Sequence, residues 1–151
     1  MNLIWMSELT SLQGLKLSNS HPKSIDLPDD NPHHMEILCN LLHLRQTAIP
    51  RHLSLHELHS LSILVDKYDC SGATKLGFYF WMSQIKPNGP EEITRAIHAA
   101  YLFNEPVTFR ALTKSLIHEH HWTVDTKLCA LGLPSELIRK SNLPRDAVVN
   151  C

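Results

Sequence analysis

Eleven histidines in 151 residues are the first feature that could do chemistry. Imidazole is the commonest metal ligand and the side chain that titrates nearest neutral pH. Cys39 and His43 stand four apart, a spacing that can chelate one zinc from a single helix. His56 and His59 stand three apart, and His118-Glu119-His120-His121 is a dense cluster. Neither His56-Glu57-Leu58-His59 nor that cluster has the H-E-x-x-H spacing that sets two ligands on one helical face with a base between them. Cys39 and His43 also fall in or beside an apolar stripe, where free cysteine is commonly buried. The last cluster suits a helix C-terminus, where a cationic imidazole meets the negative end of the dipole. Solvated or capping histidines are the simpler reading, so no metal ligand is assigned.

Asp66-Lys67-Tyr68-Asp69 could be taken for a reactive acid–lysine pair. Adjacent helical residues point in different directions, so the charges are expected to face solvent and Tyr68 to anchor packing. The sequence has no G-x-S-x-G elbow, no G-x-x-x-x-G-K-[ST] loop and no G-x-G-x-x-G turn. Five glycines are few for a phosphate cradle. No catalytic residue and no cofactor is assigned, and the chain reads as a non-enzyme without a small-molecule substrate. Trp5, Trp81 and Trp122 read as packing residues rather than ligand platforms.

The totals narrow the class. A hydrophobic fraction of 43% and a charged fraction of 19% are ordinary for a globular chain. A net charge of -1 leaves no basic excess to hold a nucleic-acid backbone. Cys39, Cys70, Cys129 and Cys151 are widely spaced, and the first residues lack a basic flank and a long apolar run. Free thiols in the cytoplasm or nucleus, without a membrane span, are the expectation.

The elements that must carry these residues read mostly as helices. Residues 1–20 give no clear pattern. Ser24-Ile25-Asp26-Leu27 alternates apolar and polar before Pro28, which predicts one short strand. Asp29-Asp30-Asn31-Pro32 is a helix start, with Asn31 or Asp30 as cap and Pro32 at the first turn. That helix is expected to run to about Arg45, with Met35, Leu38, Leu41 and Leu42 inward. Ser54 and Glu57 form a capping box for a central helix. Leu58, Leu61, Leu64, Val65 and Tyr68 recur along it at three- and four-residue steps, so one face is apolar. A third helix, about Ala73 to Gln84, is expected to bury Leu76, Phe80 and Trp81. Pro87-Asn88-Gly89-Pro90 is a boundary. Beyond it, a helix to about Phe103 carries Ile93, Ile97, Ala100 and Tyr101. Another, Pro106 to about His120, carries Phe109, Leu112 and Leu116. These two form an antiparallel hairpin. Pro134-Ser135-Glu136-Leu137-Ile138 suggests a last helix before a frayed tail.

Three strings carry a family resemblance. They are Ile25-Asp26-Leu27-Pro28-Asp29-Asp30-Asn31-Pro32, Ile37-Leu38-Cys39-Asn40-Leu41-Leu42-His43-Leu44, and Leu61 to Cys70 with its Val65-Asp66-Lys67-Tyr68 core. Together they resemble the second half of a BTB/POZ domain of the fungal type. Ala99-Ala100-Tyr101-Leu102-Phe103 and Leu112-Thr113-Lys114-Ser115-Leu116-Ile117 resemble the helical tail of the same proteins. The resemblance covers roughly residues 15–140. Residues 1–14 do not resemble the strands and helices that open such domains, so the expectation is a truncated domain whose N-terminal half is missing.

The expected fold is therefore mainly α: a truncated BTB/POZ-like helical core with one short strand, followed by a C-terminal helical hairpin. The expected divisions are an unclear segment at 1–20, a partial BTB/POZ-like domain at 21–86 and a helical extension at 87–151. The resemblance implies a protein–protein interaction module, either a dimerisation unit or an adaptor to a cullin-type ubiquitin-ligase scaffold. Leu55 and Glu57 are the candidate partner contact. Leu58, Leu61, Leu64, Val65, Asp66, Lys67 and Tyr68 are the core and family signature. The alternatives are a small histidine-rich metal-binding protein and a vestigial fragment without independent function.

Overall fold

The computed structural model describes residues 26–120. Residues 1–20, Ser24 and Ile25 of the expected strand, the helix at Pro134–Ile138 and the tail lie outside the described residues. Among the described residues the chain is mainly helical, with five α-helices, one short 3-10 turn and no strand. Asp26 and Leu27 take no regular structure, and the chain turns directly after them, with the Asp30 N–H donating to the Leu27 carbonyl at 3.2 Å.

Helix α1 spans Pro32–Leu42. The Asn31 side-chain oxygen accepts from the N–H groups of His33 and His34 at 2.9 and 3.3 Å, satisfying two donors that have no partner within the helix. The helix stops short of Arg45 because Leu44 turns left-handed, with φ 55°. Ile37, Leu38 and Leu41 are buried, while Leu42, expected inside, is exposed. A 3-10 turn at Gln46–Ala48 follows.

Helix α2 spans Leu55–Lys67 and starts with the full capping box. The Ser54 N–H donates to the Glu57 carboxylate at 2.8 Å, and the Glu57 N–H donates to Ser54 Oγ at 3.2 Å. Leu58, Leu61 and Val65 are wholly buried, and Leu64 nearly so. Each such side chain contributes about 1.5–3 kcal/mol relative to exposure. This helix packs against α1, against α3 (Ser71–Met82) and against α4 (Gly89–Leu102). It is the hub of the described fold.

Helix α3 is rotated relative to the expectation. Thr74, Phe78 and Trp81 are its buried side, whereas Leu76 is 84% exposed and Phe80 is exposed as well. Two contacts fix this rotation. The Trp81 indole N–H donates to the Pro50 carbonyl at 2.9 Å. At Gly77 an added Cβ would stand 3.0 Å from Leu41 Cδ2, so the missing side chain is what lets α3 lie close on α1.

The chain passes Pro87 without leaving the core. Ala99 and Ala100 of α4, with Phe103 just after it, join the buried cluster built by Leu38, Leu41, Leu58, Leu61, Val65, Phe78 and Trp81. The Phe78 and Phe103 rings stand 4.7 Å apart. Helix α5 (Pro106–His120) closes against the outer side of α4, where Leu116 packs on Ile93 and Ile97. Tyr101, Phe109 and Leu112 are only partly buried around that second cluster.

Three helix ends share one device. After α1, α2 and α4 the residues Leu44, Asp69 and Asn104 take φ 55°, 52° and 55°. The next N–H reaches back five residues in each case, from Arg45 to Asn40, Cys70 to Val65 and Glu105 to Ala100, at 2.8–2.9 Å. These are Schellman ends, which usually place glycine at the left-handed position. None of the three has one. Among the described residues no helix is long and apolar enough to cross a membrane.

Candidate functional site

The signature residues at the end of α2 meet Asp30 from the segment before α1. Lys67 Nζ lies 2.6 Å from Asp30 Oδ1, and the Tyr68 hydroxyl donates to Oδ2. The Asp30 side chain is 4% exposed. Burial pushes its pKa up, but the hydrogen bonds from Lys67 and Tyr68, with the Lys67 charge, outweigh burial and hold it below the usual carboxylate range. Burial, reinforced by the Asp30 hydrogen bond, pushes the Tyr68 phenol up to about 12. The acid and the phenol are thus driven away from the range in which they could exchange protons near neutral pH. The node braces the end of α2 against the turn before α1. Asp66 faces solvent as expected, but Lys67 does not: it folds onto Asp30 and is only partly exposed. The approach of the pre-α1 turn supplies the partner that neighbouring positions on α2 could not.

A second buried carboxylate lies at the turn between α4 and α5. Glu105 is 1% exposed by side chain, and Lys75 Nζ of α3 stands 2.7 Å from its Oε1. Its other oxygen accepts from the Tyr79 hydroxyl. The carboxylate raises the pKa of both Lys75 and Tyr79, chiefly through these hydrogen bonds. Lys75, Tyr79 and Glu105 carry no motif that marks them, so the sequence offers no signal for this contact.

The histidines separate into solitary and paired ones. Cys39 and His43, placed beside an apolar stripe, are instead on the exposed side of α1. His56 is exposed while His59 turns inward toward His98 of α4, so the two side chains have different surroundings. His59 Nε2 and His98 Nδ1 are 2.9 Å apart. Among the described residues no three His, Cys, Asp or Glu side chains converge as a metal site would need. Most of the 118–121 cluster falls outside the described side chains. Cys70 is partly buried, and burial pushes its thiol pKa up, away from a reactive thiolate.

The proposed contact at Leu55 and Glu57 has the wrong exposure for an apolar anchor. Leu55 is buried, only 8% exposed, because it is the first inward residue of α2. The Glu57 carboxylate is held by both the N–H and the hydroxyl of Ser54, and this lowers its pKa. What the fold does expose is the outer side of α3. Leu76, Tyr79 and Phe80 stand at positions i, i+3 and i+4 and therefore share one face. In the whole helix Lys75 is the single charged residue, and its ammonium is already paired with Glu105 of the same chain. Hydrophobic periodicity missed this face because α3 is apolar on both sides. No family model, curated protein or solved structure matches this chain.

Proposed function

We propose that the chain is a non-enzymatic protein–protein interaction module of BTB/POZ type that self-associates through the outer face of α3. The observation that carries this reading is the exposure of Leu76, Tyr79 and Phe80 on a helix whose one charge is internally paired. Contiguous exposed apolar side chains mark interaction surfaces more often than scattered ones do. A second copy is the partner that fits. In a two-fold contact the same patch meets itself, and this patch brings no unpaired α3 charge into the contact. The resemblance of the 61–70 string to the BTB/POZ family adds the expectation of a dimerisation unit. The cullin-adaptor variant has less support, since its anchor Leu55 is buried.

Size-exclusion chromatography with light scattering, over a range of protein concentration, tests the reading. The wild-type mass should rise above that of one chain, and Leu76→Glu with Phe80→Glu should return it to one chain that still unfolds cooperatively, at a midpoint that no longer depends on protein concentration. A wild-type monomer at every concentration overturns self-association. A dimer that survives both substitutions overturns the assignment to α3.

A further inference from the structure

We propose that His59 and His98 form an acid-sensitive latch that holds the α4–α5 hairpin against α2 near neutral pH and loosens it when the pair takes up protons. The geometry is specific. The two half-buried rings come from different helices, with centroids 5.0 Å apart and facing nitrogens at 2.9 Å. At that distance one nitrogen donates and the other accepts, which requires at least one neutral ring. A first proton leaves the hydrogen bond in place but sets a charge in a half-buried site. A second makes both facing nitrogens donors and opposes two cations, so the bond cannot persist.

The surroundings set the direction. On α2 the pair is faced by His56 and Asp66, and on α4 by Arg95. Burial comes first, and His98, Arg95 and His56 add repulsion, so the His59 pKa is lowered from 6.5 to about 4. Burial lowers His98 too, and the exposed Asp66 carboxylate offsets this only in part. The unfolded chain therefore binds more protons than the folded one between these limits. The contribution of the pair is complete above the ordinary histidine range and is lost as pH falls toward about 4. The loss falls on the α2–α4 contact, which the pair spans, while the apolar core that Ala99, Ala100 and Phe103 share with α1, α2 and α3 does not titrate.

Hydrogen exchange read by mass spectrometry at about pH 7 and about pH 4.5, corrected for intrinsic rates, tests the latch. In the wild type, amides of α4 and α5 should lose roughly tenfold more protection on acidification than those of α1–α3. A double variant, His59→Gln with His98→Gln, keeps donor and acceptor but does not titrate, and should show no such selective loss. Equal loss in both proteins, or a wild-type hairpin protected in step with α1–α3, overturns the proposal. Should the double variant not fold, proton NMR titration of the wild-type histidines decides: two coupled resonances titrating below the ordinary range support the latch, and two independent ones near the ordinary value overturn it.

Discussion

Lys67 Nζ and Asp30 Oδ1 stand 2.6 Å apart although thirty-seven positions separate them in the chain. The bond ties the last residue of α2 to the turn that leads into α1. The Asp30 side chain is almost wholly buried and takes a second hydrogen bond from Tyr68, so its carboxylate is satisfied by these two partners in place of bulk water. Asp30→Ala should cost about 2 kcal/mol in urea unfolding, the scale of a broken, partly buried charged pair. The sign with pH follows from its lowered pKa. The contribution is complete above the usual carboxylate value of 3.8 and is lost as pH falls through the folded value. Acid titration of stability should therefore be shallower in the variant than in the wild type below about pH 4.

Phe78→Ala and Phe80→Ala should separate widely. Phe78 is wholly buried against Phe103, and its truncation should cost about 3–5 kcal/mol. Phe80 lies half exposed on the other side of α3, and its truncation should stay within about 1 kcal/mol. Denaturant midpoints at equal slope measure both. The reverse order would mean that α3 presents Phe80, not Phe78, to the core.

Leu44→Gly should stabilise the chain by about 1 kcal/mol, read as a rise in the thermal midpoint. Leu44 is 78% exposed, so its side chain contributes little burial, yet it holds the left-handed φ of a Schellman end. The same substitution at Asn104 should gain less, since asparagine tolerates that region better.

The two glycines of α3 should respond in opposite ways to alanine. Gly72 has open space around an added Cβ, so Gly72→Ala should stabilise by about 0.5–1 kcal/mol through helix propensity. At Gly77 an added Cβ would meet Leu41 at 3.0 Å and Trp81 at 3.1 Å. Both are packed, and Trp81 is also held by its bond to Pro50. Gly77→Ala should therefore show no gain and a lower thermal midpoint.

Where local chemistry decides structure, the sequence was readable. Ser54 with Glu57 set the start of α2, Asn31 with Pro32 set that of α1, and the Leu58–Leu61–Leu64–Val65 stripe marked the buried face. The outward face of α3 was not readable. Leu76, Phe78, Phe80 and Trp81 are all large and apolar, so periodicity cannot choose between them, and the choice comes from Gly77 and the Pro50 carbonyl. The early end of α1 was hidden because its left-handed residue is leucine. Lys67–Asp30, Lys75–Glu105 and His59–His98 are long-range pairs between residues whose own surroundings in the chain say nothing of their partners. Of the candidate site, the buried signature leucines were legible from spacing, while the exposed apolar face and the three polar pairs were not.

The bond from Trp81 to the Pro50 carbonyl has a bearing on the order in which the chain folds. The segment between α1 and α2 is closed by a side chain that arrives thirty-one positions later, and Gln84 adds a second tie to the Arg51 carbonyl at 3.2 Å. Helices α1 and α2 can form and meet first, but the loop between them takes its final path only when α3 docks. Substitutions at Ile49 and Pro50 should then change the unfolding rate far more than the folding rate, with φ-values near zero. A folding rate that falls in step with stability would place that loop in the nucleus instead.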